Sequence, residues 1–261
     1  MNLFSIIVVS YNTKKKLIKT LNSIKKQTYN NYEIVIIDGL STDGTINFVK
    51  KNRNKKIKFF TEKDNGIYDA MNKGIKKANG QWTLFLNSGD IFVDQNILIN
   101  VNAIIKKKSD IVFGNTIIKN KDLTYNHYSE FISNYSLQIP FCHQSVFTRT
   151  KLLKQNLFNL KYKICADFNL FINLQKKNFS FQQIKFPISI VISGGLSDKN
   201  RFKVFYENIK ILKKNKILTN KIFLLGVCFI KIILTKFVKF ILPKFIITQV
   251  LKVKYHYRLL K

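Results

Sequence analysis

The chain has 261 residues, with 45 Lys and Arg against 14 Asp and Glu, a formal net charge of +31. Its hydrophobic fraction of 46% supplies a sizeable core and excludes wholesale disorder, while ten glycines and three prolines exclude collagen-like and Pro/Gly-linker architectures. The cysteines Cys142, Cys165 and Cys228 are scattered, with no CxxC pair and no histidine at zinc-ligand spacing, so neither a disulfide framework nor structural zinc is expected.

The N-terminal run MNLFSIIVVSYN lacks a basic leader and a small-residue cleavage site. It reads as a buried first strand of a cytoplasmic protein, not as a signal peptide. SIIVVS (5–10) is short, continuous and β-branched, as suits a strand buried on both faces. Residues 13–27 follow as a helix, with Thr13 as a candidate cap and Leu17, Leu21 and Ile24 on one face. EIVIID (33–38) and IKFFT (57–61) repeat the strand signal around a helix that runs to about Lys51. Ile67, Ala70, Met71, Gly74, Ile75 and Ala78 then mark an amphipathic helix closed by Gly80, with Tyr68, Asp69 and Asn72 off the apolar stripe. WTLFLN (82–87) and DIVFGN (110–115) are two further strands, separated by a helix around 95–107. This alternation predicts an α/β protein with a mainly parallel, right-handed wound sheet.

Such sheets bind ligands beyond the carboxyl ends of their strands. Four successive strands here end in polar or acidic groups: Ser10-Tyr11-Asn12, Asp38, Glu62 to Asn65, and Asn87-Ser88-Gly89-Asp90. Each alone reads equally as turn chemistry or a helix cap; their concurrence on one rim points to a site. No GxGxxG follows the first strand and no GxxxxGK[ST] occurs, which argues against dinucleotide and Walker-type nucleotide sites. Tyr11 near Asp38 suits stacking of a base and acceptance of its N–H edge. Asp90 suits a hard divalent cation completed by substrate phosphates.

The segments SIIVVSYN, QTYNNYEIVIIDGLSTDGT and EKDNGIYDAMNKGIKKANGQWTLFLNSGD, in this order and spacing, resemble the signatures of family 2 glycosyltransferases of the GT-A (Rossmann-like) fold. The likeness is to bacterial members that build capsule, O-antigen or exopolysaccharide units. It spans residues 4–115 strongly and 140–197 more weakly. It implies inverting transfer of one sugar from a nucleotide-diphosphate sugar, a UDP-sugar by preference, to a hydroxyl acceptor. It assigns Ser10, Tyr11, Asn12, Asp38, Asp64, Asn65, Asn87 and Ser88 to the nucleotide sugar and Asp90 to Mn2+ or Mg2+. Two departures accompany it: Gly39 stands where many relatives carry a second acid, and the Asp-x-Asp metal motif is reduced to Asp90.

Inverting transfer needs a base for the acceptor hydroxyl. In ICADFNLFINL (164–174) the resemblance places that base at Asp167, with Ala166 replacing the first member of the family's acidic pair; an ordinary helix cap is the alternative. PFCHQSVF (140–147) brings His143 and Gln144 as acceptor or phosphate contacts, against a core role for the histidine. SGGLS (193–197) resembles a loop that closes over the donor. The Gln-x-x-Arg-Trp motif of processive synthases is absent.

The expected division is a catalytic domain over 1–198, with a nucleotide-sugar half (1–115) and an acceptor half (116–198), followed by a basic amphipathic helical tail over 199–261. From Asn208 onward there are 13 Lys and Arg and no acid. A spanning helix is disfavoured, since Lys231 would sit mid-membrane at a cost of about 2.5–3.5 kcal/mol. An in-plane helix pair on an anionic membrane surface fits better, with an amphipathic helix packed on the catalytic domain as the alternative. A lipid-linked glycan acceptor would give that tail a purpose. Two other classes remain: an inactive GT-A-like assembly partner, and a nucleic-acid-binding protein. The acids clustered at strand ends and the lysines gathered in an apolar tail speak against nucleic acid.

Overall fold

The computed structural model describes residues 3–120, 123–132 and 137–217, with isolated positions between 226 and 249. The first half alternates as expected: β1 (Phe4–Ser10), α1 (Lys14–Lys25), β2 (Tyr32–Asp38), α2 (Thr45–Lys51), β3 (Ile57–Thr61), α3 (Ile67–Lys77) and β4 (Trp82–Phe85). After it come β5 (Ile91–Phe92), α4 (Ile97–Ile104), β6 (Ile111–Lys119), β7 (Thr124–His127), β8 (Val146–Arg149) and α5 (Thr150–Gln155). The described chain ends with α6 (Ala166–Lys176), β9 (Phe181–Ile192), α7 (Leu196–Lys199) and α8 (Arg201–Lys214).

The sheet runs β3-β2-β1-β4-β8-β6-β9-β5, with β7 paired to β6. Its first four strands are parallel, which brings the ends of β1 and β2 level: Ser10 pairs with Asp38, and Asp38 with Thr61. Beyond β4 antiparallel pairs enter, through β8 on β4 and on β6. Strand β1 shows why both faces are buried. Phe4, Ile6 and Val8 join the core under α1 and α4, while Ile7 and Val9 join the core under α3 and α6.

Several expectations need correction. Tyr68 and Asn72 are buried, not off the apolar face. The Asn72 amide donates to the Phe158 carbonyl and accepts from the Phe158 N–H, both at 2.9 Å, so a second layer of chain covers that side of α3. Helix α3 stops at Lys77 because Ala78 turns extended (ψ 134°). Gly80 instead permits close approach to β1: an added Cβ would lie 2.6 Å from the Ser5 backbone nitrogen. Thr13 makes no cap bond to α1.

The expected boundary at 198/199 falls inside α7, and α8 beyond it buries Ile211 and Leu212 in the same core as α3 and α6. The expected helix pair from 221 onward lies outside the described residues, apart from isolated positions that are helical and exposed. Among the described residues, no helix is long and apolar enough to cross a membrane.

Candidate active site

The turns after β1 and β2 are knitted together. Asn12 donates its backbone N–H to Ser41 Oγ and accepts the Thr42 N–H on its side chain, each at 2.8 Å. Asn12 takes a positive φ of 50° to do so, a conformation asparagine tolerates better than most residues. Ser10 Oγ meets Thr13 Oγ1 at 3.0 Å, and Thr13 donates to Ser88 Oγ at 2.9 Å, tying this turn to the end of β4. Tyr11 is 63% exposed and free to stack on a ligand.

Asp38 is fully buried. Its oxygens accept from Ser41 Oγ at 2.6 Å, the Ser41 N–H at 2.8 Å and Thr61 Oγ1 at 3.2 Å. The carboxylate therefore builds the turn that presents Asn12 and Ser41. A second carboxylate stands where the sequence shows none: an added Cβ on Gly39 would lie 2.5 Å from Asp64 Oδ2 and 3.3 Å from the Tyr11 ring. Gly39 thus opens the space into which Asp64 reaches from the loop after β3. Asp64 Oδ1 also accepts the Gly66 N–H at 2.9 Å, and the Asn65 N–H goes to Asp69.

At the end of β4, the Thr20 hydroxyl donates to the Asp90 carbonyl at 2.7 Å and accepts the Gly89 N–H at 2.9 Å, fixing the 87–90 turn on α1. Asp90 is buried, and that burial pushes its carboxyl up to about 6, against hydrogen bonds from the Gln144 side chain (3.2 Å) and the Ile192 backbone. Asn87 Oδ1, three residues earlier, is buried with no partner. Among the described residues no group of three or more His, Cys, Asp or Glu is placed to hold a metal. The donors present are hard oxygens with one carboxylate, a set that fits a divalent cation only if substrate phosphates complete its shell.

Asp167 lies in the first turn of α6, which has no side-chain cap bond. Its Oδ2 lies 3.0 Å from His143 Nδ1, and its Oδ1 accepts from the Tyr68 hydroxyl at 3.1 Å and from the Phe168 N–H at 2.8 Å. The other face of the His143 ring system, Nε2, meets Asn87 Nδ2 at 3.2 Å. Since that amide nitrogen only donates, Nε2 accepts and the ring proton sits on Nδ1, facing the carboxylate. His143 therefore bridges the two sides of the site and is no mere core filler, while Gln144 beside it reaches Asp90.

Sequence reasoning missed Tyr68, Ser41 and Thr20, whose roles depend on partners far along the chain. Tyr68 is buried, and burial together with the nearby Asp167 charge holds its phenol well above the usual range. A cavity of about 250 Å³ opens beside it, between the start of α3, the 160–164 segment and α7–α8, with Lys163 and Lys203 on its wall.

The comparisons with known proteins agree with this architecture. The model of glycosyl transferase family 2 matches residues 5–173. A PGL/p-HBAD biosynthesis glycosyltransferase of Mycobacterium tuberculosis is 32% identical over 173 residues, covering 64% of this chain and 67% of that protein. An uncharacterized glycosyltransferase of Rickettsia conorii is 32% identical over 220 residues, of which this chain spans 36% of the length. Among solved structures, S. aureus TarS 1–349 in complex with UDP-GlcNAc superposes with a TM-score of 0.59 at 22% identity, over 80% of this chain and 66% of that one. The Pyrobaculum calidifontis mannosyltransferase PcManGT, with GDP-Man and Mn2+, gives 0.56 at 16% identity, over 79% and 64%. These structural likenesses carry the GT-A fold, and the family match carries the class: the chain belongs to glycosyl transferase family 2, the nucleotide-sugar-dependent glycosyltransferases.

Proposed function

We propose that the chain is an inverting glycosyltransferase that moves one sugar from a nucleotide-diphosphate donor, a UDP-sugar, to a hydroxyl of a lipid-linked glycan in surface-polysaccharide assembly. The observation that carries this reading is the chain Asp167–His143–Asn87, two hydrogen bonds long, which ties the candidate base to the donor-side turn. Asp167 is the base that takes the acceptor proton. His143 holds the carboxylate in place, and Tyr68 holds its other oxygen. Tyr11, Asn12 and Asp64 receive the nucleotide, with Asp38 and Ser10 shaping their turns and Asn65, Asn87 and Ser88 lining the sugar side. Asp90, with the Asn87 oxygen, would hold Mn2+ or Mg2+ against the donor diphosphate, where such a cation supplies charge neutralisation for the leaving group.

Solved structures bearing UDP-GlcNAc and GDP-Man support a nucleotide-sugar donor, and the mycobacterial relative, a PGL/p-HBAD biosynthesis glycosyltransferase, supports a biosynthetic role for the transfer. A place on the inner face of the membrane is supported by the exposed apolar positions Val227, Phe229, Ile230, Ile233, Leu234 and Phe237 within an acid-free, basic tail. The test is Asp167→Asn, assayed for nucleotide release from UDP-GlcNAc with a lipid-linked glycan fraction. Turnover is expected to fall about 10²–10⁴-fold with UDP affinity unchanged. Retained turnover would overturn Asp167 as base.

A further inference from the structure

Outside the rim, one buried carboxylate plays no part in the chemistry above. Glu207, on α8, is 6% exposed. It accepts the Lys163 N–H at 3.0 Å on Oε1, and the Ile164 and Cys165 N–H groups at 2.9 Å each on Oε2. Among the described residues it has no ion-pair partner. A buried, unpaired charge is costly unless hydrogen bonds satisfy it, and here three consecutive backbone amides do so.

Those amides belong to the segment that leads directly into α6, where Cys165 is the cap position and Asp167 the second helical residue. The same segment is held from the opposite side. The Tyr68 hydroxyl, from α3, lies 2.7 Å from the Ile164 carbonyl and 3.1 Å from Asp167 Oδ1. Ile164 is thus gripped through its N–H by α8 and through its carbonyl by α3. The backbone that carries the candidate base has little freedom between them. Helix N-termini also favour a nearby negative charge, so the Glu207 carboxylate suits the start of α6 electrostatically.

We infer that Glu207 is a positioning residue for Asp167, which makes α8 a working part of the active site and not only the link to the basic tail. This rests on the reading of Asp167 as base. Glu207 touches neither substrate nor reacting atoms; it acts through the 163–165 backbone. Its nearest neutral substitute, Gln, keeps one acceptor oxygen and sets an NH2 group against the remaining amides, so it loosens the clamp without emptying the space.

The experiment compares wild type, Glu207→Gln and Glu207→Ala in the full chain. Three quantities are read: amide hydrogen exchange at 163–165, turnover of UDP-GlcNAc, and UDP affinity. Exchange at these amides is expected to speed at least tenfold in Glu207→Gln, and kcat to fall at least tenfold, while donor KM and UDP affinity stay within twofold. Unchanged exchange or unchanged kcat would overturn the inference. So would a fall in UDP affinity parallel to kcat with a lowered unfolding midpoint, since that pattern belongs to a purely structural residue. If Glu207→Ala does not fold, Glu207→Gln decides. Failure of the underlying reading looks different: Asp167→Asn would keep turnover while exchange at 163–165 still responded to Glu207.

Discussion

Asp90 shows how a buried candidate metal-binding carboxylate is set against stability. Its carboxyl is raised to about 6 from 3.8 by burial, so the folded state binds its proton more tightly than the unfolded state does. The sign follows: stability from this group is present at low pH and is lost as pH rises through the interval from about 4 to 6. Asp90→Asn removes that loss. Urea unfolding is expected to show the variant more stable than wild type at pH 7.5, by on the order of 2 kcal/mol, with the gap closing as pH falls below about 4. Equal stabilities at pH 7.5 would contradict the strained, buried carboxylate. Asp38 is the counter-case, fully buried but satisfied on both oxygens by Ser41 and Thr61. The sequence placed it at the right rim yet could not tell a ligand contact from a turn builder, because Ser41 and Thr61 reach it only once β2 and β3 are paired. Gly39 was legible as a departure and not as an opening; the opening appears only with Asp64 across it.

At the scale of elements, hydrophobic pattern carried far. The β-branched runs at 5–10 and 33–38 are strands buried on both faces, and their apolar character is visible without a structure, whereas 57–61 lies at the sheet edge with only Ile57 buried. Strand β5 was not legible. Two residues long, it is made by pairing Ile91 and Phe92 with Ser189 and Ile190 of β9, a contact almost a hundred residues away. Glu33 was equally silent: inside an apolar strand it is held by Ser5 Oγ at 2.6 Å and Lys58 Nζ at 2.7 Å, partners on neighbouring strands. The spacing of apolar residues gives α3 a single amphipathic stripe, whereas the fold covers a second side of it with the 158–164 segment. That second cover is what brings Tyr68 to Asp167. The family resemblance points to Asp167 as the candidate base, but the groups that surround it in space are not legible, since His143, Tyr68 and Glu207 come from three separate stretches of chain.

At the scale of the molecule, the charge is divided by role. The rim gathers carboxylates, while the last fifth of the chain carries 13 of the basic residues and no acid. Because α8 is part of the core, a truncation that spares it starts after Ile217, at the loss of the Phe229 ring contacts to Phe202 and Phe205 of α8 at 6.2 and 5.7 Å. A chain ending there is expected to keep UDP affinity within twofold and to stop co-sedimenting with phosphatidylglycerol vesicles, while the full chain sediments with them in a salt-sensitive manner. Undiminished sedimentation of the shortened chain would place the membrane contact elsewhere.

On this reading the rim formed by β1 to β4 is a nucleotide-sugar site completed by a cation at Asp90. Isothermal titration calorimetry of the full chain with UDP, GDP, CDP and TDP, each with and without Mn2+, tests it without knowledge of the acceptor. One nucleotide, UDP, is expected to bind with an affinity raised at least tenfold by Mn2+, and Asp90→Asn to abolish the enhancement while leaving the metal-free affinity in place. Absence of binding by every nucleotide to folded protein, or enhancement that persists in Asp90→Asn, would contradict it.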